Sequence, residues 1–244
     1  MKFFKKSKNN NLDLIDKIGN KIYFGPFSSM KIPEKVFEKI TTSEILGLYE
    51  SCLHSNIENL LNKNIENILL IGGNNGYYAS GLTYLLQPKN IYIYETFANF
   101  HEIISSWFEL NNLKNFYILG EATIEEFKHK ISNIDFVFMD CEGYEVELLN
   151  PKLFLWQVNA NFLIELHPFY VPNLIATLSD RFKETHEINL IYDDFEEDNK
   201  IKKILKGLDL EIEYPKHPNH RWIIENEKKV YTSGIFMFLS KKQS

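Results

Sequence analysis

The sequence predicts an α/β fold, a mostly parallel sheet wrapped by helices, on three observations. From Ile65 onward, short apolar runs alternate with amphipathic stretches, the order expected of strands and their covering helices. Each run is rich in Ile, Phe, Tyr or Val at nearly every position, as a strand covered on both faces requires. The first run, Ile68-Leu69-Leu70-Ile71, passes directly into Gly72-Gly73-Asn74-Asn75-Gly76, and a helical pattern follows. A chain of 244 residues, 44% hydrophobic, is long enough to give one such domain its own core.

In order, strands are expected at 67–71, 91–95, 116–119, 134–140 and 161–167, with helices at 77–86, 100–111, 123–131 and 144–149. Thr123 and Glu126 have the spacing of a capping box. Asn150-Pro151 reads as an N-cap with proline at the first position of a short helix to 156, and a helix over 171–182 likewise has Pro172 in its first turn. A sixth strand is expected at 187–192, a helix at 201–208 and a last strand at 233–239, antiparallel in this class of fold. The stretch 210–231 contains prolines and histidines and takes no assignment. Residues 1–64 read as an N-terminal extension packed on the domain formed by 65–244, with helical pieces at 43–52 and 56–61.

A net charge of −6 gives no bulk attraction to nucleic acid or anionic lipid. Lys2, Lys5, Lys6 and Lys8 read as a solvated terminus. No apolar run is long enough to span a bilayer, and no signal-peptide pattern is present. Cys52 and Cys141 make neither a disulfide framework nor a zinc spacing, so a reducing cytoplasm is the expectation. The expected partner is a small molecule or glycan, without nucleic acid or stable membrane insertion; an oligomer is left open.

The glycine loop admits two readings: a tight turn without a ligand, or a backbone cradle at a helix N-terminus for a carboxylate or phosphate. A dinucleotide fingerprint is broken, because Asn74 and Tyr77 stand where its second and third glycines belong, which disfavours an NAD-dependent oxidoreductase. A Walker loop would end in Gly-Lys-Ser/Thr, which is absent. Glu95, 95 − 76 = 19 residues beyond Gly76 at the end of the next strand, is placed to accept hydrogen bonds from both hydroxyls of a ribose.

Further on stands Phe136-Val137-Phe138-Met139-Asp140-Cys141-Glu142-Gly143-Tyr144-Glu145, followed by Leu148-Leu149-Asn150-Pro151. Here the chain resembles the FkbM-like group of class I methyltransferases, which carry D-x-E-G-x-E after the fourth strand, behind a G-x-N-x-G-Y-Y-type loop. That loop is Gly72-Gly73-Asn74-Asn75-Gly76-Tyr77-Tyr78 in this sequence. The likeness extends to Leu48-Tyr49-Glu50, to Leu163-Ile164-Glu165-Leu166-His167, and to Arg181-Phe182 with Thr185-His186-Glu187-Ile188, about residues 45–195 in all. The resemblance implies a Rossmann-like seven-stranded domain, S-adenosylmethionine as methyl donor, and O-methylation of a sugar or another small hydroxylated molecule. It places the cofactor against Gly72, Gly73, Asn74, Gly76, Tyr77, Glu95, Thr96, Glu121, Ala122, Asp140 and Glu142. Two positions depart from the pattern. Leu70 stands where many class I enzymes have an acid, so a contact to the cofactor's amino group must come from elsewhere, with Glu142 and Glu50 as candidates. Phe138 stands where the group often has lysine. Both motivate an alternative: a methyltransferase-like domain that has lost catalysis and serves in binding or assembly.

An alcohol that attacks a methyl carbon benefits from a base that takes its proton. Asp140, Glu142, Glu165 and His167 are expected at carboxyl ends of strands, where open α/β sheets bind ligands. His167, able to be neutral near pH 7, is the first candidate for the base, against the alternative of a histidine merely hydrogen-bonded at a strand end. Asp140 and Glu165 complete the catalytic set. No matching carboxylate set for a metal is evident in the sequence, so none is expected. Glu142 either binds the cofactor or caps the next helix, and Cys141 reads as a buried neighbour. His217 and His220 belong to a polar loop, and Asp193, Asp194, Glu196, Glu197 and Asp198 to a solvated run before a helix. Trp107, Phe108 and Leu110 form a core-facing stripe; of Tyr77 and Tyr78, one covers the cofactor and the other packs.

Overall fold

A computed structural model describes residues 10–129, 131–214, 222–225, 228–231 and 234–242. Three short helices come first: α1 (Asn10–Ile18), α2 (Thr42–Leu46) and α3 (His54–Asn59). Strands and helices then alternate: β1 (Asn67–Ile71), α4 (Tyr77–Leu86), β2 (Asn90–Tyr94), α5 (Ala98–Leu110), β3 (Phe116–Leu119), α6 (Ile124–His129), β4 (Phe136–Met139), α7 (Glu145–Leu148), β5 (Asn161–Glu165), α8 (Leu174–Phe182), β6 (His186–Tyr192) and α9 (Glu197–Gly207). A hairpin of β7 (Trp222–Glu225) and β8 (Lys228–Tyr231) precedes β9 (Ile235–Lys241).

The main sheet has seven strands in the order β3-β2-β1-β4-β5-β9-β6. β1 to β5 pair in parallel, and β9 lies antiparallel between β5 and β6. The chain therefore starts in the middle, runs outward to β3, and returns to lay β4 on the other side of β1. That reversal opens a crevice at the carboxyl ends of β1 and β4. The Rossmann-like architecture expected from the sequence is present, last strand included.

Strand parity sorts the core into two layers. Ile68 and Leu70 of β1, Phe136 and Phe138 of β4, Leu163 of β5 and Phe236 of β9 face one cluster. Leu69, Ile71, Val137, Met139, Phe162, Ile164 and Met237 face the other. The first layer also holds Leu14, Ile22, Met30, Val36, Leu46 and Leu53, so the N-terminal segment shares its core with α4 and α5. The second is closed by Leu148, Leu174, Leu178 and Phe182 of α7 and α8. No helix among the described residues is long and apolar enough to cross a membrane.

Several boundaries differ from the expectations, for identifiable reasons. The helix expected over 43–52 stops at Leu46, because Gly47 takes φ 67°, where a Cβ would lie 2.0 Å from the Phe24 carbonyl oxygen. Its start carries a complete capping box, Thr41 with Glu44. No helix spans 150–156. Asn150 accepts the Lys152 N–H, but Phe154 leaves helical geometry to bury its ring against Phe127 at 5.5 Å, and a 3-10 turn follows at Leu155–Asn159. α8 starts after Asn173, whose left-handed φ of 58° keeps Pro172 out of the helix. α9 starts at Glu197, four residues before the expected 201, inside the acidic run. Of the capping pair Thr123 and Glu126, the hydroxyl does accept the Glu126 N–H, at 3.3 Å. His217 and His220 lie outside the described residues.

Candidate active site

The ladder ends earlier than the apolar runs suggest, at Tyr94, Met139 and Glu165. Glu95, Asp140 and His167 therefore stand just past the last paired residues, at the crevice end of the sheet. The glycine loop lies among them. Gly72 and Gly73 both donate their N–H to the Tyr94 carbonyl, at 3.0 and 3.1 Å. Gly72 has φ 91°, and a Cβ there would lie 1.8 Å from the Asp140 carbonyl oxygen, so only glycine lets the ends of β1 and β4 close up.

Three elements fix the rest of the loop. The Glu95 carboxylate accepts the Asn74 N–H at 2.7 Å with one oxygen and the Phe97 N–H at 2.8 Å with the other. Trp107 on α5 donates its indole N–H to the Asn75 carbonyl at 2.9 Å. Glu44, from the N-terminal segment, accepts from the Asn75 amide at 2.7 Å. Glu44 and Trp107 are loop supports that the sequence did not disclose as such; Trp107 is also the core residue it was read to be.

Gly72, Asn74, Glu95, Thr96, Glu121, Ala122, Asp140 and Glu142 come together on one cleft of about 430 Å³, with Ile71, Tyr94, Phe97, Phe100, Gly120, Cys141, Tyr144 and Leu148. Every charged group on this lining is a carboxylate. Gly73, Gly76, Tyr77 and Glu50, expected at the cofactor, do not line it. A Cβ on Gly73 would press on Ile93, Ile104 and Glu95, and one on Gly76 on Trp107 and Ile104, so both glycines serve packing beneath the loop. Tyr77 and Tyr78 pack with Phe27 and Tyr49, and neither covers the cleft. Glu50 is turned inward and accepts the Tyr78 hydroxyl at 2.5 Å; burial above all pushes its pKa up to about 8.

The Asp-x-Glu-Gly-x-Glu string is a turn that gathers carboxylates around one histidine. Glu142 and Gly143 take successive left-handed conformations, φ 54° and 104°, reversing the chain after Asp140. The string's last acid, Glu145, is fully buried and accepts His167 Nδ1–H at 2.7 Å, and the Gly143 N–H on the same oxygen. On the other side of the ring, Nε2 lies 3.6 Å from Asp140 Oδ1 and 3.6 Å from Glu142 Oε2. Burial works against a charged ring, but Glu145, Asp140 and Glu142 outweigh it and raise the His167 pKa. Asp140 is raised by burial to about 6, although His167 pulls it down, and Glu165 is raised to about 10 by burial and by Glu50 and Asp140. Burial also pushes the Cys141 thiol up, which leaves it an inert neighbour. Glu145 carries no local signal of its role, because Glu147 stands two residues on in the same helix and is exposed. Arg181, from α8, donates to the Val146 and Leu149 carbonyls at 2.5 and 2.6 Å and ties down the end of α7.

Ligand atoms of Asp140, Glu165 and His167 all lie within 4.8 Å of one another. The expectation of no metal rested on the lack of a matching carboxylate set, and that premise does not survive: the fold brings together, from the ends of β4 and β5, a set not adjacent in sequence.

The two departures from the family pattern reduce to one. Leu70 and Phe138 are register partners on β1 and β4, both in the first core layer. An acid at 70 and a lysine at 138 would have faced each other; here two apolar side chains do, and Tyr78 stacks on Phe138 at 4.2 Å. Leu70→Glu and Phe138→Lys alone are each expected to cost about 3–5 kcal/mol, because each buries an unpaired charge. The double variant should recover about 1–3 kcal/mol of the summed loss in urea unfolding. Strict additivity would overturn the pairing.

Residues 117–188 match the methyltransferase FkbM domain. No curated protein matches the chain. Among solved structures, an rRNA methylase from Streptococcus thermophilus aligns with a TM-score of 0.51 at 12% identity, over 78% of this chain and 96% of that one. An O-methyltransferase from Bacillus cereus aligns with a TM-score of 0.46 at 11% identity, over 97% of this chain and 92% of that one.

Proposed function

We infer that this chain, with its methyltransferase FkbM domain, is an S-adenosylmethionine-dependent methyltransferase, and we propose that its acceptor is a hydroxyl of a sugar or another small molecule. The observation that carries the reading is the charge of the cleft. It joins a glycine loop to an acid at the end of β2, and its charged lining is Glu95, Glu121, Asp140 and Glu142 alone. Such a lining repels the pyrophosphate of a dinucleotide and favours a nucleoside that carries positive charge and no phosphate. A sulfonium nucleoside is such a ligand, and a cleft of about 430 Å³ is of small-molecule size.

Glu95 spends one acceptor site on Asn74 of the glycine loop and one, on its other oxygen, on Phe97 just before α5; a carboxylate has about four, so two remain for ribose hydroxyls. Thr96, Glu121 and Ala122 supply the wall for the base. When bound, the donor supplies a methyl carbon whose bond to sulfur breaks as a bond to the acceptor oxygen forms, the electron pair staying on sulfur. The hydroxyl proton passes to the cluster of Asp140, Glu142, Glu165 and His167, in which Glu145 sets the orientation of the imidazole. Asp140 belongs to both places, lining the cleft and facing His167, and so relates donor and acceptor. Leu70 and Phe138, as a packed pair, lend no separate support to a domain that has lost catalysis.

Calorimetry with S-adenosylhomocysteine tests the donor site. The wild type should bind, and Glu95→Ala should weaken binding at least about tenfold, since it removes charge-assisted hydrogen bonds worth roughly 1.5–3 kcal/mol each. A folded chain that binds S-adenosylhomocysteine no better than NAD would end the reading. The acceptor class is read by mass spectrometry over sugars and other hydroxylated small molecules; methyl incorporation into nucleic acid or protein alone would replace it.

A further inference from the structure

We propose that Asp140, Glu165 and His167 form a binding site for one first-row divalent cation, beside the cleft. The three come from the ends of two strands, and their ligand atoms converge within 4.8 Å. Two carboxylates and an imidazole are a mixed oxygen and nitrogen set, which suits manganese or zinc better than calcium or magnesium.

Two further observations point to a cation. Asp140 Oδ1 is buried and without a hydrogen-bond partner among the described residues, yet it lies 3.6 Å from His167 Nε2. That is too long for a hydrogen bond but close to the roughly 3.0–3.5 Å between ligand atoms that share an ion at about 2.1 Å. The second is the imidazole itself. Glu145, fully buried, holds Nδ1 at 2.7 Å, which turns Nε2 toward the carboxylates of Asp140 and Glu142. A carboxylate behind a histidine, with the far nitrogen presented to acids, is the outer shell that orients a metal-binding histidine. Nε2 facing carboxylate oxygens calls for a positive charge, a proton on the ring or a bound cation, and no Lys or Arg forms an ion pair with Asp140, Glu142, Glu145 or Glu165 among the described residues.

The catalytic use of the cation rests on the methyl-transfer reading; its binding does not. Beside the donor cleft, an acceptor hydroxyl ligated to it would be more acidic, its proton leaving to exposed Glu142 while His167 serves as a ligand.

The test is Mn²⁺ binding to the chelator-stripped full chain, followed by calorimetry and electron paramagnetic resonance, with S-adenosylhomocysteine titrated separately. One Mn²⁺ per chain is expected. Glu165→Gln and His167→Gln should each weaken it by about 10–100-fold, and exposed Glu147→Gln should leave it unchanged. Circular dichroism checks that the variants fold. A chain that binds S-adenosylhomocysteine but shows no saturable Mn²⁺ or Zn²⁺ up to about 1 mM, the weak end of protein cation sites, overturns the cation site and leaves the methyltransferase reading standing. Mn²⁺ binding that both glutamine variants retain also overturns it. Mn²⁺ binding lost in both variants, in a chain that ignores S-adenosylhomocysteine, upholds the site and removes the methyltransferase reading instead.

Discussion

Gly72→Ala is expected to weaken S-adenosylhomocysteine binding by about 10–100-fold while the protein stays folded, because strain of about 1–3 kcal/mol must be relieved by moving the loop that would hold the donor. The methyl group would lie 1.8 Å from a backbone oxygen, that of Asp140, and no rotamer can relieve a clash with backbone. A φ of 91° adds strain of about 1–3 kcal/mol for any residue with a Cβ. The loop must then rise off the end of β4, and it cannot do so freely, because Tyr94 holds both Gly72 and Gly73 from the other side. The distortion falls on Asn74 and Glu95, the groups assigned to the donor. Gly207→Ala, at the end of α9 with open space around the added methyl, is the control and should bind normally. Unchanged affinity in Gly72→Ala would mean that the ligand does not use this bend.

What the sequence disclosed and what it hid follow one physical division. Elements whose pattern is local were legible: β1 and α4 fall where expected, because a buried parallel strand is apolar throughout and a helix opens at Gly76, and the edge strand β3 shows the same apolar run although none of its residues is buried. Glu95, Asp140 and the glycine loop were legible together, because topology brings the carboxyl ends of adjacent strands to one crevice whatever the side chains are. Pairings between distant segments were not. Glu44 reaches Asn75 from 31 residues away, and Glu145 reaches His167 across 22. The orientation of Tyr77 and Glu50 into the core depends on an N-terminal segment whose packing no periodicity announces. Leu70 and Phe138 looked like two losses because register, which makes them one contact, cannot be seen in a single strand. Asp140, Glu165 and His167 were each singled out as catalytic for being at strand ends. Their convergence within 4.8 Å turns three candidates into one unit.

If that unit takes the acceptor's proton, His167→Ala should lower the methyl-transfer rate by about 10²–10⁴-fold, the usual worth of a positioned proton acceptor. The affinity for S-adenosylhomocysteine should change little, because His167 lies behind Asp140 and is not on the cleft lining. This separation makes the variant informative: a structural role would appear as lost stability or lost donor binding, a role in the chemistry as lost turnover alone. Glu145→Gln sharpens the distinction. It keeps the shape of a buried side chain that is not on the cleft lining, so its effect passes through the imidazole or through the Gly143 N–H that shares the same oxygen. A fall of roughly 10–100-fold in kcat, with KM for the donor unmoved, marks Glu145 as the positioning residue. The rates are read as S-adenosylhomocysteine released with the acceptor found in the panel. Should His167→Ala keep its turnover within about threefold, far short of that worth, the proton leaves by another route and the cluster loses its place in the reaction.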